Sequence, residues 1–323
     1  MCPPSAIRTD SLTKSYGGVT AVDDLELTVR SGEVFGFLGP NGAGKSTTID
    51  LLVGFTAPTA GSGWVLGTDI RDDADELRRD VGILPDDYAV FPELTGREHL
   101  RSMRRLKGND DDPDRVFDLV GINEADRDRV AGEYSKGMCQ RLALGMALVC
   151  EPDLLVLDEP TSGLDPDGVA TVRDIVRDKA SDGTTVFFSS HHLAEVEAVC
   201  DRVGIMNQGR LVAVDTIDSL RERAPSDTRL RMRVAEEPPS HVVDRLSAQS
   251  GTVPVSVTDD EVVVACEESS AKAEAIQTLH RSVPVLDFDV ESTSLEHVFD
   301  AYTDSDRETE RQSSDEAARG RRT

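Results

Sequence analysis

A glycine-rich segment that ends in a lysine and a serine is the first group of residues that could do chemistry. Gly39-Pro-Asn-Gly-Ala-Gly-Lys-Ser46 follows the apolar run Val34–Leu38, and the residues after it predict a helix through Val53. A strand, a G-x-x-x-x-G-K-S loop and a helix in this order form a P-loop, whose backbone N–H groups surround phosphates. Lys45 would reach the β- and γ-phosphates, and the Ser46 hydroxyl would ligate Mg²⁺. A plain glycine turn is disfavoured because both flanking elements are present.

Two adjacent carboxylates are the second such group. Asp158 and Glu159 directly follow Leu154–Leu157, the all-apolar pattern of a central parallel strand. At the tip of that strand, Asp158 is suited to hold Mg²⁺ directly or through water, and Glu159 to polarise or deprotonate an attacking water. Solvated acids that cap a strand are the alternative for the pair alone, and the P-loop upstream favours the chemical interpretation.

Three further motifs lie in a fixed order around these residues. Tyr134-Ser-Lys-Gly-Met-Cys-Gln-Arg141 precedes the acids, and Pro160-Thr-Ser-Gly-Leu-Asp-Pro166 and Ser189-Ser-His191 follow them. With the P-loop, these motifs resemble the nucleotide-binding subunit of an ATP-binding cassette (ABC) transporter over about residues 7–216. The resemblance implies an α/β P-loop NTPase cassette with an antiparallel β part and a helical subdomain, and an ATPase that uses ATP and Mg²⁺.

The resemblance also implies roles for matching residues. Tyr16 would stack its ring on adenine, with ordinary packing as the alternative for a lone tyrosine. His191 would hydrogen-bond the γ-phosphate and help to fix the attacking water, and the Ser-Ser-His spacing favours it over His192. The catalytic residues would then be Glu159, His191 and Lys45. The ATP-binding residues would be Tyr16, Gly39, Pro40, Asn41, Gly42, Ala43, Gly44, Lys45, Ser46, Thr47, Ser135, Gly137 and Asp165.

A dimer and a membrane partner follow from the same resemblance. Ser135 and Gly137 match the family's signature loop, which contacts the γ-phosphate bound by the opposite subunit of a head-to-tail dimer. Asp165 matches the loop that communicates across that dimer. The expected partners are a second ATPase subunit, identical or different, and a separate integral-membrane permease. The chain would lie on the cytoplasmic face of the cell membrane as a peripheral protein.

The chain departs from the family pattern at two places. The family usually has Leu-Ser-Gly-Gly-Gln where this chain has Tyr134-Ser-Lys-Gly-Met138, so that Lys136 adds a cation to the loop. Asp86 stands where glutamine or glutamate is usual. Because aspartate is one methylene shorter than either, contact with Mg²⁺ through a bridging water is weighed against a purely loop-capping role. The candidate metal-binding residues are Ser46, Asp158 and Asp86.

Softer features indicate the export branch of the family. These are the sequence of the signature loop at Tyr134–Met138, the Leu84-Pro-Asp86 loop, and Ser294-Leu-Glu-His-Val-Phe299, which resembles the terminal helix of ABC-2-type exporter subunits. The alternative is a soluble ABC-type ATPase with a non-transport regulatory role, for instance on nucleic acid or ribosomes. The short distance from Ser46 to Ser135 leaves no room for a long coiled coil. A non-hydrolysing sensor is disfavoured because Lys45, Asp158, Glu159 and His191 are all present.

Composition limits the remaining possibilities. The 323 residues carry 61 Asp+Glu against 35 Lys+Arg, a formal net charge of −26. So negative a surface disfavours electrostatic binding of nucleic acid, and its self-repulsion is best tolerated in concentrated salt, which indicates a halophilic source. Five cysteines without a C-x-x-C pair fit a reducing cytosol. No apolar run approaches the ~20 residues of a membrane span, and no secretory signal is expected.

The pattern divides the chain into an ABC ATPase domain at 1–220, with its helical subdomain at about 86–150, a small α/β domain at 226–303, and a disordered polar tail at 304–323. Alternation of apolar residues predicts a strand over 25–29, and Thr95-Gly-Arg-Glu98 predicts a helix N-terminus with a capping box. Asn207-Gln-Gly-Arg210 predicts a hairpin turn. After Pro225 the predicted order of strands and helices is ferredoxin-like.

Overall fold

The chain is described from a computed structural model that covers residues 4–72, 77–107, 113–223, 228–258, 260–266 and 269–291. It forms two compact units, Met1–Thr216 and Ile217–Thr323. The strands of the first unit are β1 (Ser5–Tyr16), β2 (Val19–Leu25), β3 (Thr28–Arg30), β4 (Val34–Leu38), β5 (Ala60–Val65), β6 (Thr68–Asp69), β7 (Val81–Leu84), β8 (Leu154–Asp158), β9 (Thr185–Ser190), β10 (Arg202–Asn207) and β11 (Arg210–Thr216).

Within the described residues, the first unit has a helix after β4, a run of consecutive helices between β7 and β8, and a helix after each of β8 and β9. They are α1 (Lys45–Leu52), α2 (Gly96–Leu106), α3 (Asp114–Leu119), α4 (Glu124–Arg127), α5 (Lys136–Leu148), α6 (Pro166–Ser181) and α7 (Leu193–Val199), with a 3₁₀ turn at Ala131–Glu133. The predicted capping box is confirmed: the Glu98 N–H donates to Thr95 Oγ1 at 3.2 Å, and the Thr95 N–H donates to Glu98 Oε2 at 2.8 Å. α2 therefore begins where the sequence indicates.

A six-stranded mixed sheet forms the centre of the first unit, in the order β11-β10-β4-β9-β8-β7. Neighbours from β10 to β7 run parallel, and β10 and β11 form the predicted antiparallel hairpin around Gln208-Gly209. β4, β8 and β9 are buried along their whole length, and Phe37, Val156 and Phe187 of these strands share one apolar core with residues of β1, β3 and α1. Their carboxyl ends lie at one edge of the sheet, where Leu38 pairs with Ser190 and Asp158 pairs with Ser189.

The second sheet of this unit is antiparallel, in the order β2-β1-β5-β6 with β3 also paired to β1. The continuous strand predicted over 25–29 is wrong, because β2 ends at Leu25 and β3 begins at Thr28. The Thr9 hydroxyl accounts for the break: it donates to Leu25 O at 2.7 Å and accepts from the Leu27 N–H at 2.8 Å. Leu25, Leu27 and Val29 are nevertheless all buried, as their alternation predicted.

The second unit begins with α8 (Ile217–Arg223) and continues as β12 (Thr228–Val234), α9 (Ser240–Ser247), β13 (Thr252–Val257), β14 (Glu261–Cys266), α10 (Ser269–His280) and β15 (Val285–Glu291). Its sheet has the order β13-β14-β12-β15, and every neighbouring pair is antiparallel. Leu230, Met232, Val264 and Leu279 belong to its own apolar core. The predictions for Ser294–Phe299 and for 304–323 concern positions outside the described residues.

None of the helices that the structure describes combines the length and the apolar character that crossing a bilayer requires.

Candidate active site

Three loops meet at the carboxyl edge of the central sheet. The P-loop follows β4, the acid pair ends β8, and His191 follows β9, so that strand order brings together residues more than a hundred positions apart. They surround a cavity of about 380 Å³ lined by Ala21, Pro40, Asn41, Gly42, Gly44, Lys45, Ser46, Thr47, Asp86, Glu159, Ser162 and His191. The cavity lies outside the carboxyl ends of parallel strands, which is the usual ligand position in open α/β sheets.

The P-loop backbone requires glycine at two positions that line the cavity. Gly42 has φ +81° and Gly44 has φ +103°, in the left-handed region that other residues seldom adopt. A Cβ on Gly44 would also lie 2.3 Å from the Ala21 carbonyl oxygen. This conformation directs the chain into α1, whose first turn presents free N–H groups and a partial positive charge to the cavity.

Lys45, Glu159 and His191 form a continuous polar chain across the cavity. Lys45 Nζ donates to Gly39 O at 2.8 Å and lies 3.5 Å from Glu159 Oε1, while His191 Nδ1 lies 2.9 Å from Glu159 Oε2. Lys45 and Glu159 are both over nine-tenths buried. Each oxygen of this carboxylate therefore has its own partner, and the group is held in a fixed orientation at the cavity wall.

Asp158 is buried directly behind Glu159. The Ser189 hydroxyl donates to its Oδ1, and the whole residue is 3% exposed. Burial, and then the Asp158 carboxylate, raise the pKa of Asp50, which lies on α1. The Asp50 and Asp158 carboxylates therefore lie close enough to oppose each other's ionisation.

The oxygen donors near the P-loop fit Mg²⁺. Ser46 and Asp86 line the cavity, and hydroxyl and carboxylate oxygens are ligands that Mg²⁺ prefers. In the parts of the chain that the structure covers, no group of three or more His, Cys, Asp or Glu side chains forms a ready-made metal cage. Mg²⁺ is usually held by one or two protein oxygens together with nucleotide phosphates.

Several candidate ATP-binding residues lie outside the lining of this cavity. Tyr16, at the end of β1, is half exposed, and Lys14 Nζ lies 4.8 Å from its ring centroid. Within the P-loop, Ala43 is buried, and a Cβ on Gly39 would meet the Met206 carbonyl oxygen at 2.6 Å. These two P-loop positions support the loop from behind, while Tyr16 stays accessible to a planar ligand.

Ser135, Gly137 and Asp165 also lie outside the cavity of their own chain. Ser135 caps α5 by accepting from the Met138 N–H at 3.2 Å, and Asp165 caps α6 by accepting from the Gly168 N–H at 2.8 Å. Lys136 extends toward the loop before α6: its Cε and Nζ both lie 2.7 Å from the position that a Cβ on Gly163 would take.

Two residues of the cavity lining are additional to those predicted from the sequence. Ser162 stands within the Pro160–Pro166 motif, and its N–H donates to Glu159 O at 3.1 Å, so that a tight turn brings it back to the cavity. Its position three residues after Glu159 was the feature of the sequence that could have predicted its place in the cavity lining. Ala21 comes from β2, and neither its residue type nor its surroundings in the sequence marked it.

The fold and the P-loop together define a nucleotide-binding α/β protein, and comparison with known proteins narrows the class. Residues 22–162 match the family model described as ABC transporter. The chain is 36% identical to the daunorubicin/doxorubicin resistance ATP-binding protein of Streptomyces peucetius, over 97% of this chain and 98% of that protein. It is 34% identical to the bacitracin transport ATP-binding protein of Enterococcus faecalis, over 76% and 82% of the two chains.

A solved structure titled as the ATP-binding subunit of an ABC transporter superposes with a TM-score of 0.64 and 29% identity, covering 68% of this chain and 93% of that one. The chain belongs to the family of ABC transporter ATP-binding proteins. It is accordingly the ATP-binding and hydrolysing subunit of such a transporter. The family resemblance and the ATPase activity expected from the sequence are confirmed.

Proposed function

We propose that this ATPase drives a separate membrane permease from a dimer in which two Mg·ATP lie between the subunits. The observation that carries the proposal is the Lys45–Glu159–His191 chain beside the P-loop, which joins a phosphate-binding loop and an oriented carboxylate in one cavity. A P-loop alone would support binding only. The added carboxylate and imidazole supply what hydrolysis needs.

Each residue of the chain has a distinct part in this proposal. Lys45 binds the β- and γ-phosphates, for which it exchanges its contact with Gly39 O. Glu159 accepts a proton from the attacking water, and His191 orients that water and hydrogen-bonds the γ-phosphate. Tyr16 stacks on adenine, and the backbone N–H groups of the P-loop contact phosphate oxygens.

Mg²⁺ is the implied cofactor, and it supplies neutralisation of charge on the phosphate oxygens. Ser46 and Asp158 hold it in this proposal, Ser46 from the cavity lining and Asp158 from the end of β8. Asp86 is the third candidate ligand. Its position in the cavity lining favours contact with the metal through water over a purely loop-capping role.

Ser135, Gly137 and Asp165 support the dimer. All three lie outside the cavity of their own chain, and the first two stand at the exposed N-terminus of α5, where free N–H groups favour an anion. In a head-to-tail dimer this loop contacts the γ-phosphate held by the partner's P-loop. Asp165 begins the helix that follows the loop expected to cross the interface.

Export is the direction that the relatives favour, since two of them are named for drug resistance and bacitracin transport. The chain would then be a peripheral protein on the cytoplasmic face of the cell membrane.

We place the ATPase domain at 1–220 and the small domain at 226–303, for which the β13-β14-β12-β15 order supports a ferredoxin-like fold. The net charge of −26 favours adaptation to concentrated salt.

The permease is tested by co-purification. Membranes are extracted at high salt, this chain is isolated in mild detergent, and accompanying proteins are identified by mass spectrometry. A polytopic membrane protein recovered in stoichiometric amount supports the proposal, and the P-loop variant Lys45→Ala controls for dependence on nucleotide. A chain that carries no integral-membrane partner would contradict it and favour a soluble regulatory ATPase.

A further inference from the structure

A carboxylate outside the cavity lining connects two loops of the candidate active site. Glu195 lies in the first turn of α7, and its Oε2 accepts from Thr161 Oγ1 at 2.6 Å and from Ser190 Oγ at 3.0 Å. Ser190 Oγ in turn accepts from the His192 N–H at 2.9 Å. Thr161 and Ser190 are both buried, so this contact is the place where their hydroxyls find an acceptor.

The two hydroxyls belong to the segments that carry the candidate catalytic pair. Thr161 is two residues after Glu159, and Ser190 directly precedes His191. The pair itself is joined at 2.9 Å on the cavity side. Glu195 joins the same two segments on the other side, so that the two bridges close a ring and restrict how far the loops can separate.

The carboxylate of Glu195 matters because one of its oxygens serves two donors. Hydrogen bonds to an ionised acceptor are shorter and stronger than those to a neutral one. Removal of the carboxylate would leave two buried hydroxyls without this acceptor, and the loops would shift to satisfy them. Such a shift would reach Glu159 and His191 within one or two residues.

We propose that Glu195 is a positioning residue for ATP hydrolysis, which holds Glu159 and His191 in register through Thr161 and Ser190. The inference rests on the proposed roles of Glu159 and His191. Thr161 also belongs to the loop that ends at Asp165. The same carboxylate therefore ties the position of His191 to a loop that faces the partner subunit in the proposed dimer.

Steady-state hydrolysis by the full chain, with ATP affinity measured separately by binding of a non-hydrolysable analogue, tests this role. Glu195→Ala lowers kcat between roughly tenfold and a hundredfold, since a misplacement of ~1 Å can cost about 100-fold. Affinity stays within about threefold, because the P-loop is untouched. Glu195→Gln keeps an oxygen acceptor and recovers kcat to within about fivefold of the unmodified chain.

A matched control removes an exposed carboxylate from another helix of the same unit. Asp178→Ala, on α6, leaves kcat and affinity unchanged. Thr161→Val removes one hydroxyl with little change of shape and lowers kcat by several-fold. In the double variant Thr161→Val/Glu195→Ala, the fold loss of kcat should be smaller than the product of the two single losses. The reason is that each substitution removes the same hydrogen bond, the one between Thr161 and Glu195.

Two results would overturn the inference. The first is a kcat that stays unchanged in Glu195→Ala. The second is a Glu195→Ala variant that loses kcat and ATP affinity together and melts at a lower temperature, with no recovery in Glu195→Gln. Glu159→Gln, assayed in the same series, separates this inference from the function it rests on. If Glu159→Gln abolishes hydrolysis while Glu195→Ala does not, only the positioning role is wrong; if neither slows hydrolysis, the proposed base is wrong as well.

Discussion

At the scale of single residues, the position of the Glu159 carboxylate depends on a backbone conformation that residues with a side chain seldom adopt. Glu159 has φ +48°, which costs about 1–2 kcal/mol for a residue other than glycine. Its N–H donates to Ser189 O at 3.2 Å, and its two oxygens contact Lys45 and His191. These contacts offset the strain and fix where a proton acceptor stands.

Gly44 should be the P-loop glycine least tolerant of change. In Gly44→Ala the new methyl group would lie 2.3 Å from Ala21 O, in addition to the strain of φ +103°. We expect the free energy of unfolding to fall by about 3 kcal/mol or more, with loss of ATP binding. Denaturant unfolding and nucleotide titration measure both.

Gly42→Ala is the matched control for that substitution. Gly42 has φ +81°, but a Cβ there would meet no atom within 4 Å. Only the cost of the left-handed backbone conformation remains, and we expect the free energy of unfolding to fall by about 1–2 kcal/mol. If the free energy of unfolding fell equally in the two variants, the close approach of the Ala21 carbonyl to Gly44 would make no contribution to the destabilisation.

At the scale of elements, the site depends on where helices begin. Ser135, Asp165 and Thr95 each cap a helix through a side-chain oxygen, and two of these helices start within motifs of the candidate site. A cap both satisfies free N–H groups and sets the entry angle of the chain. Ser135 and Asp165 therefore contribute both to the stability of their helices and to the geometry of the candidate site.

The capping box of α2 gives a prediction that depends on pH. Thr95→Ala should lower the free energy of unfolding by about 1 kcal/mol near neutral pH. Hydrogen bonds from the Thr95 N–H and hydroxyl hold the pKa of Glu98 below its ordinary value of 4.5. Ionised Glu98 thus stabilises the fold fully above that value, and the effect is lost as the pH falls through the lowered pKa.

The penalty of Thr95→Ala should accordingly shrink in acid. Denaturant unfolding followed by circular dichroism, from about pH 7 down to about pH 3, measures it. Ser102→Ala, at an exposed interior position of the same helix, should raise the free energy of unfolding by about 0.5 kcal/mol or less, equally at every pH. A penalty that does not change with pH would show that the Thr95 hydroxyl takes no part in lowering the pKa of Glu98.

Contiguous patterns were predictable from the sequence, and contacts between distant segments were not. The P-loop, the buried strands before Gly39 and Asp158, and the Thr95 cap each depend on neighbouring residues, so that local spacing identifies them. The break at Glu26–Leu27 depends on the Thr9 hydroxyl of another strand. Ala21 likewise reaches the site only through tertiary packing, and the contact of Glu195 with Thr161 joins segments 34 positions apart, so that local sequence rules find neither.

At the scale of the whole molecule, the excess of carboxylates is the dominant feature. A net charge of −26 disfavours the compact state through repulsion between like charges. Salt weakens that repulsion, since the screening length falls from about 10 Å at 0.1 M to about 3 Å at 1 M. The chain should therefore be more stable in concentrated salt.

We expect the melting temperature to rise by at least about 5 °C between about 0.1 M and about 2 M KCl, with most of the gain below 1 M. Differential scanning fluorimetry measures the change. Sucrose of equal osmolality is the control, because it favours compact states without screening charge. A melting temperature that responds equally to sucrose and KCl would argue against adaptation to salt.

The central claim is that Glu159 is the base of an ATP-hydrolysing site completed by a second subunit. Glu159→Gln tests it most directly, with hydrolysis followed by phosphate release and assembly by analytical ultracentrifugation in ATP. We predict ATP affinity within about threefold of the unmodified chain, a dimer that forms only with ATP, and hydrolysis at least 100-fold slower. A variant that hydrolyses ATP at nearly the original rate would contradict the account.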